Sequence, residues 1–237
     1  ISPLLVTLGH ELFHSIHFAI DKTEVEIDRH VGTNNASTAW LEMTGTYGEE
    51  EMYDNVNDYY TYLPYFYGNP QFSLRDGTQF GGNLINYNLH MYGSVVWPLF
   101  LVEHFGSEII RDVWLQCGNA PGPQWIQALD DQIRAYSADS LDLRTMFTRF
   151  TQWNTFTGNW TRGTQYFDEA LNYNKVNRYT TVTSYPATIS PDTTKRPGNL
   201  GASYIELQNM ASSPSGLAIS VNLDRTQPWD ITVIGLP

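Results

Sequence analysis

Near the start of the chain, residues 10–14 read HELFH, with His10 and His14 four positions apart and Glu11 directly after the first histidine. On an α-helix, side chains four residues apart lie one turn above each other, so both imidazoles face the same point in space. Two imidazoles placed in this way fit two corners of a tetrahedral zinc site. Glu11 would lie beside the metal, where a carboxylate can take a proton from an activated water. The spacing therefore indicates a hydrolytic zinc centre.

A catalytic zinc ion needs a third protein ligand and an open coordination position. His17 is on the same predicted helix, and one continuous helix cannot easily place three imidazoles around one ion. His30 lies sixteen residues past His14 and lacks the glycine of the metzincin pattern, which excludes that pattern. Glu42 is better placed, because it lies on a second predicted helix with Glu49 seven residues later on the same face. We predict that Glu42 binds the metal and that Glu49 orients a ligand histidine through its other nitrogen.

These residues also have an explanation without function. A histidine pair on a helix can consist of one buried imidazole, satisfied by a backbone carbonyl, and one exposed imidazole. The glutamates 42, 49, 50 and 51 can form a solvated acidic face, and we prefer this interpretation for Glu50 and Glu51 because charge runs usually face solvent.

The two helices that must carry the site are visible in the sequence. Ser2 and Pro3 give a helix start, and apolar residues recur at helical spacing to near Ala19. A loop from Asp21 to Ser37 follows. The second helix is predicted from Thr38 to Met52, and two glycines weaken this prediction. An aromatic stretch and a Gly-rich turn at residues 81–82 come next.

The rest of the chain divides into a helical and a β-rich part. Residues 86–106 predict a helix with a kink at Pro98, because proline lacks the donor that the preceding turn needs. Further helices are predicted over residues 107–117, 123–136 and 140–156. After about Glu169 the short alternating runs RYTTVTSY, ASYIEL, LAISVNL and WDITVIG predict strands. We therefore expect an α+β chain, mainly helical over residues 1–168, with an antiparallel β unit over residues 169–237 that forms part of a β-sandwich.

Composition excludes several classes of partner. Lys and Arg number 13 against 25 Asp and Glu, and the net charge of −12 repels the phosphate backbone of nucleic acids. No apolar run approaches the roughly 20 residues that span a bilayer, so we expect no membrane span. A single cysteine, Cys117, rules out an intrachain disulfide framework. The sequence does not indicate an oligomeric state.

The ends and composition of the chain give an expectation about its origin. No initiator Met and no signal-peptide pattern are present, and the chain starts almost inside the first predicted helix. We expect a processed or truncated product, whose signal peptide and preceding catalytic structure lie outside this sequence and whose β-rich part is incomplete. A composition rich in Asn, Thr, Tyr and Trp is typical of secreted bacterial proteins, so we expect a secreted or cell-surface location.

Three stretches, HELFH, AWLEMTGTYGEEEMYDNVNDYYTYLPYFY and YGSVVWPLFLVEHFG, resemble the myxobacterial-type family of bacterial metalloproteases in the gluzincin group, over about residues 3–157. That family is similar to aminopeptidase N-like and bacterial collagenase-like enzymes. The resemblance implies a zincin-like catalytic subdomain in which His10, His14 and Glu42 bind Zn²⁺. It further implies that Glu11 is the general base and that Glu49 supports a ligand.

Gluzincins of the aminopeptidase type also use a tyrosine from a later helix to stabilise the oxyanion. The stretch LHMYGSVVW offers Tyr92 or alternatively His90, depending on how its Gly93 is aligned. The pattern is equally consistent with Tyr92 as an ordinary packed residue of the core. The pattern around Glu42 departs from that of the family at Met43 and Gly45.

Two functions are consistent with these features. The first is a zinc-dependent peptidase that hydrolyses peptide bonds in a peptide or protein substrate with a metal-activated water and a glutamate base. The alternative is a non-catalytic zinc-containing surface or binding module of a secreted protein. The sequence indicates neither the substrate nor whether cleavage is internal or terminal.

Overall fold

The fold was obtained as a computed structural model that describes residues 3–22, 36–75, 84–119, 124–139, 141–162, 166–190, 196–209, 218–223 and 228–235. Ser2, His30 and the glycine turn at residues 81–82 lie outside the described residues, as does most of the loop predicted from Asp21 to Ser37.

The described part of the chain is mainly helical. Its α-helices are α1 (Pro3–Ile20), α2 (Ala36–Tyr53), α3 (Leu63–Gly68), α4 (Leu84–Gly93), α5 (Val96–Phe105), α6 (Glu108–Gly118), α7 (Trp125–Tyr136) and α8 (Leu143–Trp153). Short 3₁₀ segments lie at Asp58–Thr61, Gly158–Trp160 and Ala170–Asn172. None of the helices within the described ranges is both long enough and apolar enough to span a membrane.

Two helical features differ from the sequence prediction. The single kinked helix expected over residues 86–106 is two helices, α4 and α5, separated at residues 94–95. Pro98 lies in the first turn of α5, where its missing N–H needs no partner, so it starts a helix rather than kinking one. The aromatic stretch before α4 also contains α3, which was not predicted and which has a proline in its first turn.

Large aromatic side chains form the centre of the core. Trp40 of α2 stacks on Trp125 of α7, with ring centroids 5.0 Å apart and an interplanar angle of 4°. The other largest fully buried side chains include Trp97, Trp114, Tyr59, Tyr67, Phe100, Phe150 and Phe167. Ala170, Tyr173 and Val176 belong to the same core, so the chain stays packed on the helices beyond residue 168. The domain boundary there stays a prediction.

Helix α1 buries its histidine face rather than its leucine face. His10, His14 and His17 are at most 9% exposed. By contrast, the apolar residues that give the helix its hydrophobic pattern are 39% to 74% exposed: Leu4, Leu5, Leu8, Leu12 and Ile16. The side of α1 that packs on α2 is therefore the polar side.

A glycine of α2 permits this packing. A Cβ atom on Gly48 would lie 2.4 Å from Cδ2 and 2.5 Å from Cγ of Phe13 on α1, closer than real Cβ contacts occur. The α2 glycines that weaken the helix prediction are thus positions where the partner helix comes closest.

The C-terminal part contains little regular β-structure. Strand β1 (Thr180–Val182) pairs with β2 (Ile205–Leu207) in a parallel register, with Thr180 opposite Ile205. The antiparallel pairing expected from the sequence is wrong for these two strands. The described parts of the last two alternating runs, residues 218–223 and 229–235, form no strand. Their apolar side chains at residues 219, 221, 231 and 233 are 48% to 68% exposed, so their alternation has no buried face to pack against.

We expect Gly48→Ala to lower the free energy of unfolding by about 1–2 kcal/mol, because overpacking against the Phe13 ring outweighs the gain of about 1 kcal/mol in helix propensity. Chemical denaturation measures this difference. Gly68→Ala in α3 is the matched control, because a Cβ there meets nothing within 4 Å. Equal stability of the two variants would contradict the close contact between α1 and α2.

Candidate metal centre

Three side chains from α1 and α2 converge on one point. The Nε2 atom of His10 lies 3.2 Å from Oε2 of Glu42, and Nε2 of His14 lies 3.5 Å from the same oxygen. One ligand atom from each of the three residues falls within 4.8 Å of the others. Two imidazole nitrogens and one carboxylate oxygen form a donor set that suits a divalent transition metal, including zinc. The structure thus brings together the ligand set predicted from the sequence.

Gly45 of α2 makes room for both imidazoles. A Cβ atom at this position would lie 2.9 Å from Cε1 of His10 and 2.9 Å from Cε1 of His14. The rings meet edge to face, with centroids 4.4 Å apart. Gly45 is one of the two positions that depart from the family pattern around Glu42. Its missing side chain is what lets α2 approach the histidine pair.

The outer nitrogen of His10 contacts Glu49. Nδ1 of His10 donates a hydrogen bond to Oε1 of Glu49 over 2.6 Å, and Glu49 is 8% exposed. A carboxylate in this position fixes the ring orientation and leaves Nε2 facing Glu42. Glu49 therefore lies where the sequence predicts a supporting acid.

The outer nitrogen of His14 contacts an imidazole, that of His17, instead of a carboxylate. Its Nδ1 lies 3.4 Å from Nδ1 of His17, and His17 is 1% exposed. The ring of His17 stacks on Trp114 of α6, with centroids 4.1 Å apart and an interplanar angle of 17°. Its Nε2 lies 3.3 Å from Oγ1 of Thr44. His17 is thus behind His14 and does not belong to the ligand group.

Electrostatics couple His10 and Glu42 in the metal-free protein. Burial alone would lower the pKa of His10, but hydrogen bonds to Glu42 and Glu49 and their negative charges raise that pKa to about 9. Burial would raise the pKa of Glu42, but its hydrogen bonds with His10 and His14 lower that pKa to about 2. At neutral pH the Nε2 atom of His10 therefore carries a proton that faces Oε2 of Glu42. A metal ion must displace this proton.

Burial disfavours the charged forms of the two outer partners, Glu49 and His17. Burial raises the pKa of Glu49 above its ordinary value, although the hydrogen bond from His10 opposes this effect. Burial, followed by repulsion from His14 and His10, lowers the pKa of His17 to about 3. The His17 ring is consequently uncharged at physiological pH.

Tyr92 of α4 lies beside His10, whereas His90 packs against Phe66 and Phe72. The Tyr92 ring centroid is 5.7 Å from that of His10. Burial and then the negative charge of Glu42, to which its hydroxyl donates a hydrogen bond, raise the pKa of Tyr92 above its ordinary value. His90 is 2% exposed and packs against Phe66, with ring centroids 5.5 Å apart. Of the two oxyanion candidates, the structure places Tyr92 beside the ligand group.

The acidic residues outside the ligand group differ in exposure. Glu11 is exposed next to His10, and its negative charge contributes to the raised pKa of Tyr92. Glu51 is exposed and accepts a hydrogen bond from Tyr47 over 2.6 Å. Glu50 is partly buried, and burial together with Glu169 and Asp54 raises its pKa to about 8. Of the four glutamates of α2, Glu51 alone is exposed, so the solvated acidic face predicted for Glu50 and Glu51 is wrong for Glu50.

Three residues that lie behind His14 were not predicted from the sequence: His17, Thr44 and Trp114. His17 was set aside because one helix cannot offer three ligands, although its spacing of three from His14 places the two rings side by side. Thr44 is two residues past Glu42, and Trp114 comes from a helix far along the chain. The i, i+3 spacing could have identified His17, whereas no local pattern identifies Trp114.

Comparisons with known proteins give no assignment: no protein-family profile, no curated protein and no solved structure matches the chain.

We expect the affinity for Zn²⁺ to rise by about tenfold per pH unit between pH 7 and 8.5, because binding releases the proton of His10, whose pKa is near 9. An unperturbed histidine would give a flat profile above pH 7. Competition with a chromophoric chelator measures the affinity, and calorimetry in two buffers of different ionisation enthalpy counts the released proton. An affinity independent of pH over this range would contradict the coupling between His10 and the two glutamates.

Proposed function

We propose that this protein is a zinc-dependent peptidase that hydrolyses peptide bonds in peptide or protein substrates. The observation that carries the proposal is the convergence of His10, His14 and Glu42, with an exposed carboxylate, Glu11, directly beside the first ligand. A buried two-histidine, one-glutamate set with an acid next to it is the arrangement of zinc hydrolases. Zinc is the ion we propose, because it accepts nitrogen and oxygen ligands in a three-ligand catalytic site.

The gluzincin resemblance supports the same proposal. Its third ligand is a glutamate from the helix that follows the two histidines, and Glu42 of α2 occupies that position here. We extend the proposal to a zincin-like catalytic fold and to a secreted or cell-surface location.

Glu11 is the proposed general base. When bound, zinc would lower the pKa of a water molecule and polarise the substrate carbonyl. The Glu11 carboxylate, exposed beside His10, takes the proton of the attacking water and passes it to the leaving amine. Among the described residues of α1, Glu11 is the only acidic residue.

Tyr92 is the proposed electrophilic partner. Its phenol keeps its proton at neutral pH, because burial and Glu42 raise its pKa. A protonated phenol beside the ligand group can donate a hydrogen bond to the oxygen that becomes negative in the transition state.

We expect Glu11→Gln to bind one zinc ion per chain and to lose about 10²–10⁴-fold of its hydrolytic rate, the usual contribution of a general base. Elemental analysis gives the zinc content, and cleavage of a labelled unfolded protein and of a mixed peptide pool gives the rate. Glu51→Gln, an exposed acid on α2, is the control and should match the unchanged protein. Zinc binding without hydrolysis by the unchanged protein would overturn the peptidase proposal in favour of a non-catalytic module.

We expect Tyr92→Phe to lower kcat by about 10²-fold with little change in KM, because the lost hydrogen bond forms in the transition state. Zinc content should stay at one ion per chain. Tyr62→Phe is the control, because this ring packs against Tyr92 with centroids 5.1 Å apart. If both variants lose the same activity, the effect is one of packing and the assignment of Tyr92 is wrong.

A further inference from the structure

We propose that His17 is a positioning residue for the metal centre: its neutral Nδ1 accepts the Nδ1–H of His14, which leaves the Nε2 lone pair of His14 for the metal. This inference rests on the proposed metal centre and concerns its ligand geometry. It does not depend on hydrolysis.

Thr44 determines the direction of the hydrogen bonds around His17. Its hydroxyl has one proton, and Oγ1 lies 2.7 Å from the carbonyl oxygen of Trp40, one turn earlier in α2. A carbonyl oxygen can only accept, so the Thr44 proton is directed to the backbone. The indole Nε1–H of Trp114 can only donate, and it donates to Thr44 Oγ1 over 3.3 Å. The carbonyl oxygen of Leu41, 3.3 Å from Oγ1, can likewise only accept, so the contact of Thr44 with His17 must be one in which Thr44 accepts.

The accepting hydroxyl oxygen of Thr44 determines the tautomer of His17. Because Thr44 Oγ1 accepts, the proton of a neutral His17 ring lies on Nε2, 3.3 Å from that oxygen. Its Nδ1 then has a lone pair and can only accept. That atom is 3.4 Å from Nδ1 of His14, so His14 must be the donor.

The tautomer of His14 follows from that of His17. A neutral imidazole carries one proton, and placing it on Nδ1 leaves a lone pair on Nε2. Nε2 is the His14 atom that faces Glu42, at 3.5 Å. The direction of every hydrogen bond from Trp40 to His14 is thus set by the backbone carbonyl of Trp40, which can only accept.

The surroundings hold His17 in this position. Its ring is 1% exposed, stacks on Trp114 at 4.1 Å and meets Phe13 edge to face at 4.9 Å. An imidazole confined in this way cannot rotate to offer its other nitrogen without losing both hydrogen bonds.

The experiment compares Thr44→Val with Thr46→Val. Both threonines are fully buried in α2, and both donate to a backbone carbonyl four residues earlier. Only Thr44 accepts from His17 and Trp114. We expect Thr44→Val to weaken Zn²⁺ binding by about tenfold, as loss of an outer partner of a ligand histidine does, and Thr46→Val to change it by less than about threefold.

A second readout uses the metal-free protein. Long-range ¹H–¹⁵N correlation spectra of the histidine rings report which nitrogen carries the proton. We expect the Nε2–H form for His17 and the Nδ1–H form for His14, with a mixture of forms in Thr44→Val. A merely structural role of Thr44 would not move these signals.

Substitution of His17 separates hydrogen bonding from packing. His17→Asn places an amide oxygen close to the position of Nδ1 and keeps an acceptor, whereas His17→Phe keeps the ring shape and loses the acceptor. We expect Asn to preserve Zn²⁺ affinity better than Phe. Equal affinities of Thr44→Val and Thr46→Val, an Nδ1–H signal for His17, or unchanged affinity of His17→Phe would each overturn the inference. Absence of peptidase activity in all of these proteins would overturn only the proposed function.

Discussion

The close approach of α1 to α2 is the constraint on which the centre depends. Gly45 and Gly48 lie one turn apart in α2, and a Cβ at either position would overlap an α1 side chain. Without this approach, Glu42 could not reach within 3.5 Å of both ligand histidines. The two glycines lower the helix propensity of α2, but they allow the polar face of α1 to pack in the interior.

Burying that polar face would be unfavourable without internal partners. Each histidine on it has one. His10 is hydrogen-bonded to Glu49 and Glu42, His14 to His17, and His17 to Thr44. The side chains that satisfy the histidines therefore stabilise the helix packing and orient the rings through the same contacts.

The sequence predicted the local features and missed those that depend on distant residues. The positions of α1, α2, α6, α7 and α8 to within three residues, and the meeting of His10, His14 and Glu42, followed from spacing and periodicity, whereas α3 and the break between α4 and α5 did not. The orientation of α1 did not, because its leucine stripe predicts a buried apolar face and the histidines occupy the buried side instead. The contact of His17 with Trp114 joins residues 97 positions apart, and no local rule specifies it. The parallel strand pair likewise arises from a long connection that alternation alone cannot reveal.

The two outer partners differ in charge, and this difference matters for a buried divalent ion. The carboxylates of Glu42 and Glu49 together supply two negative charges, which balance such an ion without any further acid. A carboxylate behind His14 would add a third negative charge to a site where burial already raises the pKa of Glu49. A neutral imidazole can accept the same hydrogen bond without adding charge, provided that its own proton is held elsewhere. Thr44 accepts that proton, and the carbonyl oxygen of Trp40, which takes the proton of the Thr44 hydroxyl, prevents Thr44 from reversing its role. A histidine at position 17 in place of an acid therefore keeps the charge of the centre balanced, and its tautomer directs the hydrogen bond from His14.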